Sequence, residues 1–216
     1  MSSPRRRASA IGEATRDREL VRLYWPVGLR SAHDALFGID EAMAEVVASA
    51  SQPALGAIKL AWWRAALERL DEAPPPGEPR LHAVAKELLP RGISGADLAG
   101  IEDGWAALLD EEIDWARVAT RGERLFAIAG RLLGADDAGL VEAGRTFALG
   151  DAARRGAAVP QHAMALARQQ LRALRFPARL RPLSALTCLA LRDPLEPEAT
   201  PARAFALLRH RFTGRI

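Results

Sequence analysis

Residues 52–70, QPALGAIKLAWWRAALERL, constrain the fold more than any other stretch, because helical spacing leaves almost no polar side to the segment. Leu55, Ile58, Trp62, Ala66 and Leu70 recur three and four residues apart, and Leu60, Trp63 and Leu67 form a second stripe beside them. A helix this apolar around its circumference has to be covered by several neighbours, which predicts the central rod of an α-helical domain. Ser51 caps it, Pro53 suits its first turn, and Asp71, Glu72 and Ala73 followed by three prolines end it. Trp62 and Trp63 point about 100° apart and so anchor two different partners. Tryptophans at helical spacing usually pack, so the segment predicts core and not chemistry.

The rest of the chain follows the same period. Residues 17–25 form a short helix stopped by Pro26, and residues 27–50 a long one with Leu36, Phe37, Met43 and Val47 inward. The proline-rich stretch 73–79 is a stiff loop, not a domain boundary, because about 75 residues would make a thin domain. A brief helix is expected over 80–89, and Ser94 caps the next, which carries Leu98, Ile101, Trp105 and Leu108. Further helices are expected over 114–133 up to Gly134, and from an Asp136 or Asp137 cap to Leu149. The last three run from Pro160 to about residue 175, over 183–191 and over 202–211. Nothing alternates as a strand does. The expected class is all-α, with a disordered basic tail over 1–13 and a single-domain helical bundle over 14–216. A domain of this length buries roughly 70% of its unfolded surface and needs no staples.

One cysteine, Cys188, excludes a disulfide within the chain, and its apolar run fits a buried thiol in a reducing compartment. No apolar run approaches the roughly 18 residues of a spanning helix, and the N-terminus lacks a secretory segment. Its Ser- and Arg-rich start has the composition of an organellar presequence, although a basic tail is the simpler reading. The expected location is cytoplasmic, peripheral on the inner membrane. Net charge is +3 but unevenly spread. Residues 97–114 hold seven acids and no Lys or Arg, whereas residues 145–192 hold nine arginines against the single acid Asp151. Such a face meets an anionic membrane surface, an acidic partner or nucleic acid, unless it is simply solvated. Nucleic acid is disfavoured by the lack of zinc spacing, RNA-binding aromatics and a helix-turn-helix pattern.

Few motifs carry chemistry. Asp110, Glu111, Glu112 and Asp114 superficially match an aspartate-rich magnesium motif, yet they stand at the hydrophilic end of a helix and read first as an exposed acidic turn. His33, His82, His162 and His210 are scattered singly, without metal-ligand spacing. No nucleophile elbow, P-loop or dinucleotide fingerprint is present.

The order of segments resembles the squalene/phytoene synthase family. Four places carry the likeness: DREL at 17–20; LFGIDEAMA at 36–44 followed by QPALGAIKLAWWR at 52–64; IAG at 128–130; and the tail LLRHRFTGRI at 207–216. The tryptophan-pair helix preceded by PALG is the specific part. The resemblance implies an all-helical bundle of the isoprenoid synthase type with an apolar tunnel. In active members it also implies head-to-head joining of two prenyl diphosphates with magnesium.

Carried over residue by residue, the likeness implies a mostly erased site. The first aspartate motif falls on residues 44–48, where Ala44 and Ala48 replace both defining aspartates. Glu41 stands where an arginine helps hold diphosphate, and Arg124 where a tyrosine is expected. In the second motif Phe147 replaces the first aspartate, Ala143 the preceding asparagine, and Asp151 alone survives, ahead of Arg154 and Arg155. Asp151, Arg154, Arg155 and Arg124 are thus the implied remnant of a diphosphate end, and Ala44, Ala48 and Phe147 the implied lining of a former cavity. A pair between Glu41 and Arg124 across the old mouth is expected. One remaining aspartate cannot gather Mg²⁺, which dehydrates reluctantly and needs several carboxylates with substrate phosphates. No catalytic residue, metal ligand or cofactor is therefore expected, and Mg²⁺ enters only if the chain is active.

The resemblance implies a relative that has lost catalysis and binds at a membrane surface, or assembles a membrane complex such as respiratory complex I. The alternatives are a working Mg²⁺-dependent prenyl transferase on farnesyl or geranylgeranyl diphosphate, using Asp151 with acids from 110–114, and a non-catalytic isoprenoid lipid binder.

Overall fold

The computed structural model describes residues 17–198 and 200–216, so the expectation for the tail at 1–13 lies outside the described residues. The described residues are helical throughout, with no β-strand among them and one isolated backbone bridge between Arg175 and Arg215. Residues 17–22 form α1. There follow α2 (Arg30–Ser49), α3 (Pro53–Glu68), α4 (Pro79–Glu87), α5 (Gly95–Ala99), α6 (Glu102–Ala106) and α7 (Trp115–Leu133). The last four are α8 (Gly139–Arg154), α9 (Gln161–Leu171), α10 (Arg181–Ala190) and α11 (Pro201–Thr213).

Side-chain caps set some of these limits, although the cap expected from Ser51 is absent: Gln52 occupies the position ahead of α3 and makes no side-chain cap bond. Ser94 and Asp97 form a reciprocal capping box ahead of α5. The Asp114 carboxylate accepts from the N–H groups of Ala116 and Arg117 to start α7, and Gly134 ends it at φ 64°. Asp137 Oδ1 accepts from Gly139 N at 2.8 Å ahead of α8. The continuous helix expected after Ser94 is instead two short ones, because the chain turns at Gly100 and Ile101 to send both Leu98 and Trp105 inward.

The axis of the bundle is not the tryptophan-rich helix. The most extensive helix contact joins α7 to α8, and α10 packs on the far side of α8. Gly122 and Gly144 allow it: a Cβ on Gly122 would lie 2.6 Å from the Gly144 carbonyl carbon, and one on Gly144 2.7 Å from that of Gly122. Two helices meet there backbone to backbone, closer than any side chain permits. By contrast α3 is one-sided. The second stripe, Leu60, Trp63 and Leu67, is buried, as are Ala66 and Leu70, but Leu55, Ile58 and Trp62 of the first are 49%, 67% and 49% exposed, so the first stripe is covered only toward its C-terminal end. The expected central rod is an outer helix, and Trp62 touches Trp63 edge to face in place of a second partner helix. The continuous core runs from Val21 and Trp25 through Leu36, Ile39 and Met43 to Phe126, Phe147 and Leu183. No described helix is long and apolar enough to cross a membrane.

Candidate functional site

Three carboxylates and three guanidiniums converge where α1, α2, α6, α7 and α8 meet. On α2, Asp40 is fully buried, and its Oδ1 accepts from Arg121 Nη1 at 2.7 Å and Trp105 Nε1 at 2.9 Å. Arg121, on α7, also reaches Asp151 Oδ2 on α8 at 3.0 Å and lies over the Trp105 ring with its guanidinium carbon 3.9 Å from the centroid. The indole face is negative and its N–H positive, so one tryptophan serves both the cation and its counter-ion. Glu41 takes Arg155 Nη2 at 2.8 Å and Arg18 Nη1 at 2.7 Å. Asp151 takes Arg155 Nε at 3.1 Å and Arg18 Nη2 at 3.3 Å, and Arg18 stands 3.7 Å from the other oxygen of Asp40. The charges sum to zero, as a group withdrawn from water requires.

Burial alone would raise the Asp151 carboxyl, but Arg155, Arg121 and Arg18 outweigh it and hold the group far below the ordinary range. Glu41 is likewise held low by Arg155 and Arg18 against its own burial. Burial lowers Arg155, but Asp151 and Glu41 more than compensate and keep it firmly protonated.

The cluster floors one end of a cleft of about 1050 Å³ between α2, α8 and α10. Its other wall is apolar, built from Ala48, Phe147, Leu186, Leu189, Ala190 and Leu195. At the rim, Asp17 accepts from Arg203 Nε at 2.6 Å, and Glu196 accepts from Arg192 Nε at 2.6 Å. The bond from Arg192 draws the Glu196 carboxyl down to about 2. The combination is a greasy groove with a closed salt network at one end. It can hold an apolar or amphiphilic molecule, and its volume is in the range of ordinary ligand sites.

Asp151, Arg154, Arg155, Ala48 and Phe147 all line this cleft. Arg154 donates from both terminal nitrogens to the Glu196 carbonyl at 3.2 Å, and burial lowers its pKa. Ala44 is buried beneath the wall, whereas Ala48 is exposed on it and so does not complete an apolar interior. Phe147 stacks on Phe126 at 5.3 Å. Arg124 departs from the expectation: its Nη1 donates to Gly100 O at 2.7 Å, and Glu41 pairs with Arg18 and Arg155 in its place. The reason is register on α7, where Arg121 rather than Arg124 faces α2 and α8. Of the acidic turn, Asp110 pairs with Arg117 at 2.7 Å and Asp114 caps α7, so the turn does not join Asp151.

Sequence reasoning missed Arg18, Asp40, Trp105 and Arg121. The Asp40–Arg121 contact spans 81 residues, and no local spacing announces it. The buried pair of Ser184 Oγ and His210 Nε2 at 2.9 Å is structural, since both residues are fully enclosed and His210 Nδ1 is held by the Arg215 carbonyl at 2.8 Å.

The basic run is also less of a free face than its composition implies. Arg145 pairs with Glu123 and Glu142, Arg155 with Glu41 and Asp151, and Arg192 with Glu196.

The donor set does not fit magnesium. Asp40, Glu41 and Asp151 each already hold guanidinium nitrogens, and among the described residues no three His, Cys, Asp or Glu side chains form a group that could hold a metal ion. No family model, curated protein or solved structure matches this chain at a significant level.

Proposed function

We propose that the chain is a squalene/phytoene synthase-like protein of the isoprenoid synthase fold type that has lost catalysis and acts at a membrane surface as a binding or assembly factor. Respiratory complex I is the proposed client, and the cytoplasmic side of the inner membrane the proposed location. The observation that carries the loss of catalysis is the salt network. Where the family likeness calls for cations between facing carboxylates, three arginines supply the positive charge from within the chain, and Phe147 stacks into the space beside them. A guanidinium neutralises a carboxylate without the open coordination positions that would grip a leaving diphosphate.

The test is threefold. Purified protein with farnesyl or geranylgeranyl diphosphate and Mg²⁺ releases no diphosphate; it co-sediments with anionic liposomes at low salt; and a deletion strain loses respiratory complex I activity. Magnesium-dependent turnover would return the chain to the prenyl transferases. Absence of liposome binding together with normal respiration would remove the membrane role.

A second reading rests on the cleft. Its apolar wall and about 1050 Å³ suit a non-catalytic isoprenoid lipid binder. Mass spectrometry of solvent-extracted protein would then find a prenyl lipid, and Leu186→Glu would abolish it.

A further inference from the structure

We propose that the outward face of α11 docks on an anionic bilayer, seating Phe205, Leu208 and Phe212 at the boundary between headgroups and acyl chains. This rests on the membrane-surface reading and adds the element that makes the contact. The two sides of α11 differ sharply. Arg203, Leu207 and His210 are 1%, 3% and 0% exposed, whereas Phe205, Leu208 and Phe212 are 68%, 50% and 75% exposed. At helical rotation the three exposed side chains and Pro201 fall within an arc of about 60°, opposite His210. Scattered exposed apolar residues need no explanation, but a stripe containing two phenylalanines on one helix face does.

The charges around the stripe select the partner. There is no acid between Pro201 and Ile216. Arg209 and Arg211 lie on opposite flanks, about 70° and 90° from the stripe; the exposed Arg209 can carry its head to phosphates, while the Arg211 guanidinium lies over the Tyr24 ring, 5.0 Å from its centroid. At the C-terminal end the backbone bridge brings Arg175 to Arg215, and Arg181 Nη1 donates to Arg211 O at 2.6 Å. Arg209, Arg211 and Arg215 thus stand on the helix or just past its end, and among the described residues none of the three forms an ion pair with a carboxylate. A second copy docked face to face would set these arginines against each other, whereas an anionic surface complements them.

Co-sedimentation of the full chain with vesicles tests this, using pure phosphatidylcholine and phosphatidylcholine mixed with phosphatidylglycerol. The wild type is expected to sediment with the anionic vesicles at low salt. The double variant Phe205→Ser with Phe212→Ser is expected to bind more than about tenfold more weakly. Arg209→Gln with Arg215→Gln is expected to lose about tenfold on anionic vesicles and little on neutral ones. Leu55→Ser with Trp62→Ser, on the exposed stripe of α3, is expected to bind as the wild type does. All six side chains are exposed, and matching thermal melts would show that the variants fold. Binding that survives in both α11 variants, or is lost only in the α3 variant, overturns the inference and leaves the membrane reading standing. A wild type that binds no vesicle removes both. A dimer that the Phe205 and Phe212 changes dissociate, without vesicle binding, assigns the face to a second copy and also overturns the inference.

Discussion

Removing the Arg121 guanidinium leaves Asp40 enclosed with the Trp105 indole as its one close donor and the Arg18 charge at 3.7 Å. Arg121→Met is therefore expected to destabilise the protein by about 3–5 kcal/mol in urea unfolding, the cost of stranding a buried charge. Adding Asp40→Asn keeps an acceptor for Trp105 and removes the stranded charge, so the double variant is expected to recover most of that loss. The acid limb follows from two sets of groups. Burial pushes His33 and His210 below the ordinary imidazole range, so the unfolded chain takes up protons that the folded one refuses, and stability falls as pH drops below about 6.5. Asp151 and Glu41 are held below ordinary carboxylates, so their contribution is complete above about pH 4 and is lost as pH falls further, through their folded values. Asp151→Asn is expected to be less stable at neutral pH but to have a flatter decline below about pH 4, read from melting temperature against pH.

Among the elements, α7 and α8 depend on small residues at the point where they cross. Gly144→Ala would press a methyl group against the Gly122 backbone, and a loss of about 1–3 kcal/mol is expected in denaturant melts. Asp114→Ala removes the side chain that accepts from two N–H groups at the start of α7, with an expected cost of about 1 kcal/mol. Two helices carry outward apolar stripes that a lone soluble bundle does not use: Leu55, Ile58 and Trp62 on α3, and Phe205, Leu208 and Phe212 on α11. They differ in their surroundings. From Pro201 to Ile216 there is no acid, and Arg209 and Arg215 are exposed there, whereas α3 carries Lys59 and Arg64 together with Glu68, and Arg64 faces Glu102. Vesicle binding that weakens steeply with added salt is expected if the α11 arginines contribute as argued.

At the scale of the whole molecule, the helical class, most helix limits, the cap at Ser94 and the stop at Gly134 were legible in the sequence, whereas the cap at Asp114 was not named there. Each depends on residues within about a turn of one another, and local spacing carries that information. Asp151, Arg154, Arg155 and Phe147, named through a likeness of motif, come together along one cleft. Which helix forms the axis was not legible, because periodicity marks a face as apolar without saying whether anything covers it; α3 leaves Leu55, Ile58 and Trp62 exposed, while two glycines draw α7 and α8 together. The counter-ions were the larger surprise. Arg18 meets Asp151 across 133 residues of chain and Arg121 meets Asp40 across 81, and the expected partner of Glu41, Arg124, points elsewhere by less than one helical turn. Sequence alone determined that the chain would be helical. Only the tertiary structure decided what neutralises Asp40, Glu41 and Asp151, because ion pairing in a buried site depends on side chains that only packing brings within hydrogen-bond reach.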